Sequence, residues 1–180
     1  MKIIAFTGMP FAGKSEAVKI AKDVKIPIVR MGDMVWDEVN NRGLKLNDKN
    51  VGTIANQMRE KHGRDIWAIK TINKIKSMGN IESIVIDGIR NVEEIEVFKR
   101  ELGDNFVVIA VETSEETRRK RALERRRKDD SKDVKKLKER DQRELGWGLG
   151  SVIASADIVI LNNGSIDDFR KNIKEILKSL

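Results

Sequence analysis

Eight residues near the amino terminus, Gly8-Met9-Pro10-Phe11-Ala12-Gly13-Lys14-Ser15, constrain this chain more than any other segment, because their chemistry demands a particular fold around them. The spacing G-x-x-x-x-G-K-S/T is that of a phosphate-binding loop. Ahead of it runs Ile3-Ile4-Ala5-Phe6, an apolar run of strand length; behind it Ala17, Val18, Ala21 and Val24 recur at helical spacing. Strand, glycine loop and helix are the geometry such a loop needs. The glycines let the backbone wrap closely enough for its N–H groups to point at phosphate oxygens, and the positive end of the following helix lies on the same anion. Lys14 is placed to reach the β- and γ-phosphates, and the Ser15 hydroxyl to bind Mg²⁺. Gly8 through Ser15 are therefore expected to bind a nucleoside triphosphate, with ATP and Mg²⁺ as the cofactors.

Four further segments read as strands: Pro27-Ile28-Val29, Ile84-Val85-Ile86, Phe106 through Val111, and Ile158 through Leu161. The last three, like Ile3 to Phe6, are unbroken apolar runs, as expected of parallel strands covered on both faces. Between them lie helical patterns at 33–41, 51–61, 65–78, 92–102, 115–127 and 133–145. A closing helix carries Ile166, Phe169, Ile173, Ile176, Leu177 and Leu180 on one side. Thr113 with Glu116 and Ser165 with Asp168 have capping-box spacing. Strands alternating with helices specify an α/β fold on a parallel sheet. Two insertions interrupt the alternation, a helical one at about 31–80 and a charged one at about 115–150. Extras at the carboxyl ends of parallel strands are where a substrate cover is expected.

The length of 180 residues suits one domain spanning 1–180. No apolar run approaches the roughly 18 residues of a membrane span, and Met1 leads directly into the first strand, so a cytoplasmic protein is expected. The absence of cysteine excludes disulfides and thiolate metal sites. The lone histidine, His62, reads as a surface residue. Charged residues make up 36% of the chain, with Lys, Glu and Ile prominent, a balance found in hyperthermophile proteins. The net charge of +7 suits an anionic partner, nucleotide or nucleic acid.

Beyond the loop, Asp87 closes a buried strand in Ile84-Val85-Ile86-Asp87-Gly88-Ile89-Arg90. A carboxylate there holds Mg²⁺ in phosphate-loop proteins, and Arg90 would face the phosphates; the plainer alternative is a helix-capping Asp with a solvated Arg. Asp33 follows the second strand, either as a binding carboxylate or as a helix cap. Residues 118–128 hold eight cations in eleven positions. They suit an arginine clamp on a transferring phosphoryl group, or a nucleic-acid patch, and the carboxylates Asp129 and Asp130 favour the clamp. Trp147, in a glycine-rich segment, reads more readily as a buried turn residue than as a base-stacking one.

Together these segments resemble the nucleoside monophosphate kinases of the adenylate and uridylate–cytidylate type, and most closely an uncharacterised archaeal group described as adenylate kinase-related. Met31-Gly32-Asp33-Met34 resembles the family's G-D-M/L-L step, which implies that Asp33 lies in the acceptor site. Asp87-Gly88-Ile89-Arg90 is similar to its D-G-F/Y-P-R motif without the proline, which implies that Arg90 holds the acceptor phosphate. Arg121 and Arg125 keep its R-x-x-x-R spacing, Arg127-Lys128-Asp129-Asp130 its R-x-D-D step, and Arg140 or Arg143 its next arginine. Asn162-Asn163-Gly164-Ser165 matches the adenine-contacting loop, with Asn163 and Gly164 as nucleotide-binding residues. Trp36 stands where the family has a further acceptor-phosphate arginine. The resemblance implies a three-layer fold with a five-stranded parallel sheet ordered 2-3-1-4-5 and helices on both faces. It also implies transfer of the γ-phosphoryl of ATP to a small phosphorylated acceptor, most readily a nucleoside monophosphate. Lys14, Arg90, Arg121, Arg125, Arg127 and Arg140 would be the catalytic cations. Dephospho-coenzyme A kinase is a second relative with the same loop, and a nucleotide-dependent switch with an RNA or protein partner is the non-kinase alternative.

Overall fold

The computed structural model describes residues 1–103, 105–124 and 134–180. Five strands form one parallel sheet: β1 (Lys2–Thr7), β2 (Ile28–Arg30), β3 (Ser83–Asp87), β4 (Phe106–Glu112) and β5 (Ile158–Leu161). Their order is β2-β3-β1-β4-β5, as the resemblance implies. The helices are α1 (Lys14–Asp23), α2 (Met31–Asn41), α3 (Asp48–His62), α4 (Ile66–Lys76), α5 (Val92–Leu102), α6 (Glu115–Glu124), α7 (Val134–Gly146), α8 (Leu149–Ala154) and α9 (Ile166–Ser179).

The apolar strand runs work as expected because successive side chains enter different layers. Ile3 and Ala5 of β1 join Ile84, Ile86 and Val108 in a core shared with α2, α3, α4 and α5. Ile4 and Phe6 join Val85, Ile109 and Val111 in a second core closed by Ala17 and Val18 of α1 and by Phe169 and Ile173 of α9. The sheet therefore has helices on both faces. No helix among the described residues is long and apolar enough to cross a membrane.

Several local expectations need correction. α2 starts at Met31, so Asp33 sits in its first turn and does not cap it. α6 is capped by Ser114, whose Oγ accepts from the Thr117 N–H; Thr113 instead donates to the Asn162 carbonyl at 2.7 Å and to Asn163 Oδ1. The tertiary hydrogen bond captures the hydroxyl that local spacing assigned to a capping box. Ser165 does cap α9, accepting from the Asp168 N–H at 3.1 Å. Gly148, at φ 109°, begins the short α8, where the glycines suggested only a loop. The β5 run is not covered on both faces: Val159 and Leu161 are 50% and 66% exposed. β5 is an edge strand, and an apolar run does not say where a sheet stops.

The core facing α5 contains Phe98, fully buried and stacked on Phe106 with ring centroids 6.0 Å apart. Phe98→Ala is expected to destabilise the fold by about 3–5 kcal/mol through lost transfer energy and a cavity. Chemical denaturation checks this; a loss below about 1 kcal/mol would mean that this layer repacks freely.

Candidate active site

Strand register gathers the chemistry at one edge. Phe6 lies opposite Asp87, and Arg30 lies opposite Asp87 on its other side, so the segments that follow β1, β2 and β3 leave the sheet together. Ligands of open parallel sheets bind at this carboxyl edge.

The loop after β1 is tightly seated. Gly8 has φ 141°, and a Cβ there would lie 2.3 Å from the Val111 carbonyl oxygen of β4, so the loop backbone can approach the sheet only without a side chain. Gly13, at φ 119°, opens α1. The Ala12 carbonyl accepts from Asn162 Nδ2 at 2.8 Å and from Arg121 Nη1 at 3.1 Å. Arg121 also donates to the Asn162 carbonyl at 3.0 Å, so residues from β4–α6 and β5–α9 clamp the loop together. Phe11, at φ 65°, buries its ring against Ala122 of α6 and Leu137 of α7. Arg118 ties the same two helices by pairing with Asp141 at 2.8 Å.

Lys14 folds back over the loop, donating to the carbonyls of Gly8 at 2.6 Å and Met9 at 3.0 Å. Its side chain is half-buried overall, and the ammonium is the desolvated end. Burial, then the Arg90 guanidinium, push its pKa down to about 7 against the opposing pull of Asp87 and Glu144. Ser15, at the exposed start of α1, and Asp87, at the end of β3, line the same cavity as Lys14. A hydroxyl with one carboxylate is a donor set suited to Mg²⁺, which fills its remaining positions with water and nucleotide phosphate.

That cavity, of about 380 Å³, runs from the loop to α2, α3 and α7. It brings together Lys14, Ser15, Asp33, Asp87, Arg90, Arg121 and Arg140 from the sequence-based set. Pro10, Phe11 and Gly13 also face it, while Gly8, Met9 and Ala12 shape the loop through their backbones. Asn163 and Gly164 do not line it. Asn163 Oδ1 accepts from the Ser114 N–H at 2.8 Å, which organises the β5–α9 loop, and the cavity residue is its neighbour Asn162. Arg125 and Arg127 lie outside the described residues. The chain's three tryptophans, Trp36, Trp67 and Trp147, all reach the cavity.

Sequence reasoning missed the charge that organises the far wall. Glu144 of α7 is 3% exposed, and its Oε2 lies 2.9 Å from Arg90 Nε. Its Oε1 accepts from Arg140 Nε at 3.2 Å. Burial by itself would raise the Glu144 pKa; Arg90, Arg140 and Lys14 outweigh it and hold the carboxyl at about 2. Arg143 pairs with Asp48 of α3 at 2.9 Å, and Arg140 reaches the same carboxylate at 3.7 Å. Glu94, fully buried on α5, accepts from Arg59 Nη2 at 3.1 Å and from the Arg90 backbone N–H at 2.7 Å. Burial raises its pKa, with Arg59 opposing. Trp147 is held by its Nε1–H bond to Asn56 and lies under the Arg59 guanidinium at 4.3 Å, so its ring is a wall of the cavity braced by α3.

A family model described as AAA domain matches residues 7–138. A UPF0200 protein of Methanosarcina barkeri is 44% identical over 179 residues, covering 99% of this chain and 96% of that protein. Among solved structures, TT1252 from Thermus thermophilus has a TM-score of 0.64 at 17% identity, over 99% of this chain and 97% of that one. A shikimate kinase from Acinetobacter baumannii, in complex with shikimate, has a TM-score of 0.60 at 16% identity, over 99% and 94%. These two likenesses are of fold.

The depressed Lys14 pKa gives a measurable signature. Above about pH 7 Lys14 is mostly neutral in the free protein. Phosphate oxygens placed against it favour the ammonium and raise its pKa, so nucleotide binding takes up a proton at pH 8–9 and little at pH 6. Calorimetry in buffers of different ionisation enthalpy is expected to show uptake approaching about one proton per chain at high pH, lost in Lys14→Met. Uptake that is unchanged in that variant would assign it elsewhere.

Proposed function

This chain belongs to the AAA-domain family and groups with the UPF0200 proteins, and we propose that it transfers the γ-phosphoryl of ATP, with Mg²⁺, to a small phosphorylated acceptor, most readily a nucleoside monophosphate. The observation that carries this reading is the continuity of the cavity from the phosphate loop to a wall of guanidinium groups on α3 and α7 and of Trp36, Trp67 and Trp147. A volume of about 380 Å³ fits the range of small-molecule sites, roughly 300–1,000 Å³. A loop that only held and hydrolysed a nucleotide would need no such second compartment.

In this reading the amides of residues 8–15 and Lys14 hold the donor phosphates; Ser15 and Asp87 would hold Mg²⁺, which would supply charge neutralisation for the phosphates. Arg90 grips the acceptor phosphate through paired charge-assisted hydrogen bonds. An acceptor oxygen attacks the γ-phosphorus, the bond to the bridging oxygen breaks, and ADP leaves with that oxygen. Arg121 and Arg140, together with Arg125 and Arg127, act on the transferring group, and no covalent intermediate with the protein is needed. Asp33 contacts the acceptor at the start of α2.

A second reading takes an acceptor with a free hydroxyl, as dephospho-coenzyme A has. Its support is that two carboxylates, Asp33 and Asp87, face the cavity, since a hydroxyl nucleophile must give up a proton where a phosphate oxygen need not. The nucleic-acid switch is less favoured: Arg118 and Arg121 of the basic run are engaged internally, by Asp141 and by the phosphate loop.

ADP release measured with ATP, Mg²⁺ and a panel of nucleoside monophosphates plus dephospho-coenzyme A separates these readings. A monophosphate that accelerates release supports the first and dephospho-coenzyme A the second; a slow rate indifferent to every acceptor defeats both. Lys14→Ala is expected to lower the accelerated rate by about 10²–10³ with the fold intact. Arg90→Ala is expected to lower kcat/KM for the acceptor by about 2–4 kcal/mol of transition-state stabilisation while ATP binding stays nearly unchanged. Loss of ATP binding in Arg90→Ala would move Arg90 to the donor side.

A further inference from the structure

The last turn of the phosphate loop is fixed from outside, by a side chain whose position the sheet dictates. Asn162, only 2% exposed, follows β5 directly. Its N–H donates to the Glu112 carbonyl at 2.7 Å. Its own carbonyl accepts from Thr113 Oγ1 at 2.7 Å and from Arg121 Nη2 at 3.0 Å. With its backbone held in this way, the amide side chain reaches back to the loop, where Nδ2 donates to the Ala12 carbonyl at 2.8 Å. Arg121 Nη1 is a second donor to that carbonyl, at 3.1 Å, and Arg121 Nη2 also lies 3.3 Å from Asn162 Oδ1, so the two side chains hold each other. The contact is flush: a Cβ on Gly13 would lie 2.1 Å from Asn162 Nδ2.

This grip controls the direction of one N–H group. In a planar trans peptide the C=O and N–H point opposite ways. Donors on the Ala12 oxygen therefore turn the Gly13 N–H away from Asn162 and toward the amino end of α1, where an anion is favoured. Left to itself, that peptide has another option. Gly13 stands at φ 119°, and glycine passes between positive and negative φ at little steric cost, so the Ala12–Gly13 peptide can turn over. Turned over, it presents a carbonyl oxygen to the phosphates where an N–H donor is needed. The glycine that lets Asn162 approach is thus the residue whose freedom Asn162 removes. A buried asparagine needs only to be satisfied, which any nearby carbonyl can do; this one is held against the single loop carbonyl that sets the Gly13 amide.

We propose that Asn162 is a positioning residue for the donor nucleotide: by locking the Ala12–Gly13 peptide, with Arg121 as the second donor, it keeps the Gly13 N–H aimed at the donor phosphates. This role rests on residues 8–15 being a nucleotide-phosphate site and is independent of the acceptor. Asn162 then acts on the phosphates through the loop and has no part in recognising the base.

The test titrates Asn162→Ala and the unsubstituted chain with ADP and, separately, with inorganic pyrophosphate, both with Mg²⁺, while the Gly13 amide is followed by heteronuclear NMR. The variant is expected to bind both ligands about tenfold or more weakly, by factors within about twofold of each other, because the lost contact is to phosphate. The Gly13 amide proton is expected to move downfield when ADP binds the unsubstituted chain, as a donor to phosphate does, and to move less in the variant. If Asn162→Ala fails to fold, Asn162→Leu decides, since it keeps the branched shape and volume and removes only the polar groups. A folded variant with unchanged affinities, or with the full Gly13 shift, overturns the positioning role and leaves the nucleotide site standing. A loss confined to ADP, with pyrophosphate unaffected, overturns it by assigning Asn162 to the base. Failure of the unsubstituted chain to bind either ligand overturns the nucleotide site and the role with it.

Discussion

The packing of cations around one buried carboxylate sets the terms for the rest of the site. Arg90 and Arg140 pair with Glu144, and their charge with that of Lys14 nearby keeps the buried carboxyl ionised. Without that carboxylate the Arg90 and Arg140 guanidinium groups would lose a shared counter-charge in a half-dry cavity, where Coulomb repulsion is far stronger than in water. With it, α7 is drawn onto β3 and the phosphate loop. The same helix reaches α3 through Arg143 and Asp48, so a charge pair joins the two insertions over the sheet edge. A phosphate bound as proposed would compete for the same cations. The cavity is thus built to hold a balance of charge that a ligand can redistribute without exposing an unpaired cation.

Much of the frame was legible in the chain because each legible part has a local signature. Apolar runs of strand length placed four of the strands, the short Pro27-Ile28-Val29 segment placed β2, and the glycine spacing placed the loop. Strand ends then placed Asp87 and Arg90. What stayed hidden was long-range pairing. Glu144 and Glu94 look like ordinary members of charged helices, and only the fold reveals that they face inward with arginines from other elements. Arg59 falls in a segment that carries no motif. Asn162 was visible as part of a loop, but which of two adjacent asparagines meets the phosphate loop depends on the pleat of β5. The Thr113 cap failed for a related reason: a tertiary partner, the Asn162 carbonyl, was nearer than the helix end.

The edge strand shows the opposite limit. Val159 and Leu161 satisfy every local rule for a covered parallel strand, yet they point away from the α1–α9 core that Ile160 joins and stand open to solvent. Apolar character records what a residue tolerates, whereas cover depends on where the sheet stops.

The hydrogen bond from Asn162 to the Ala12 carbonyl joins residues 150 positions apart. It has a consequence for the order in which this molecule comes into being. β1 and its loop are synthesised well before the side chain that clamps the loop and the strand β5 that presents it. Contacts of such separation form late, since the entropy of closing the intervening chain must first be met. A growing chain therefore carries its phosphate loop long before that segment can take its final shape, and the clamp on the Ala12 carbonyl closes only once β5 has joined the sheet.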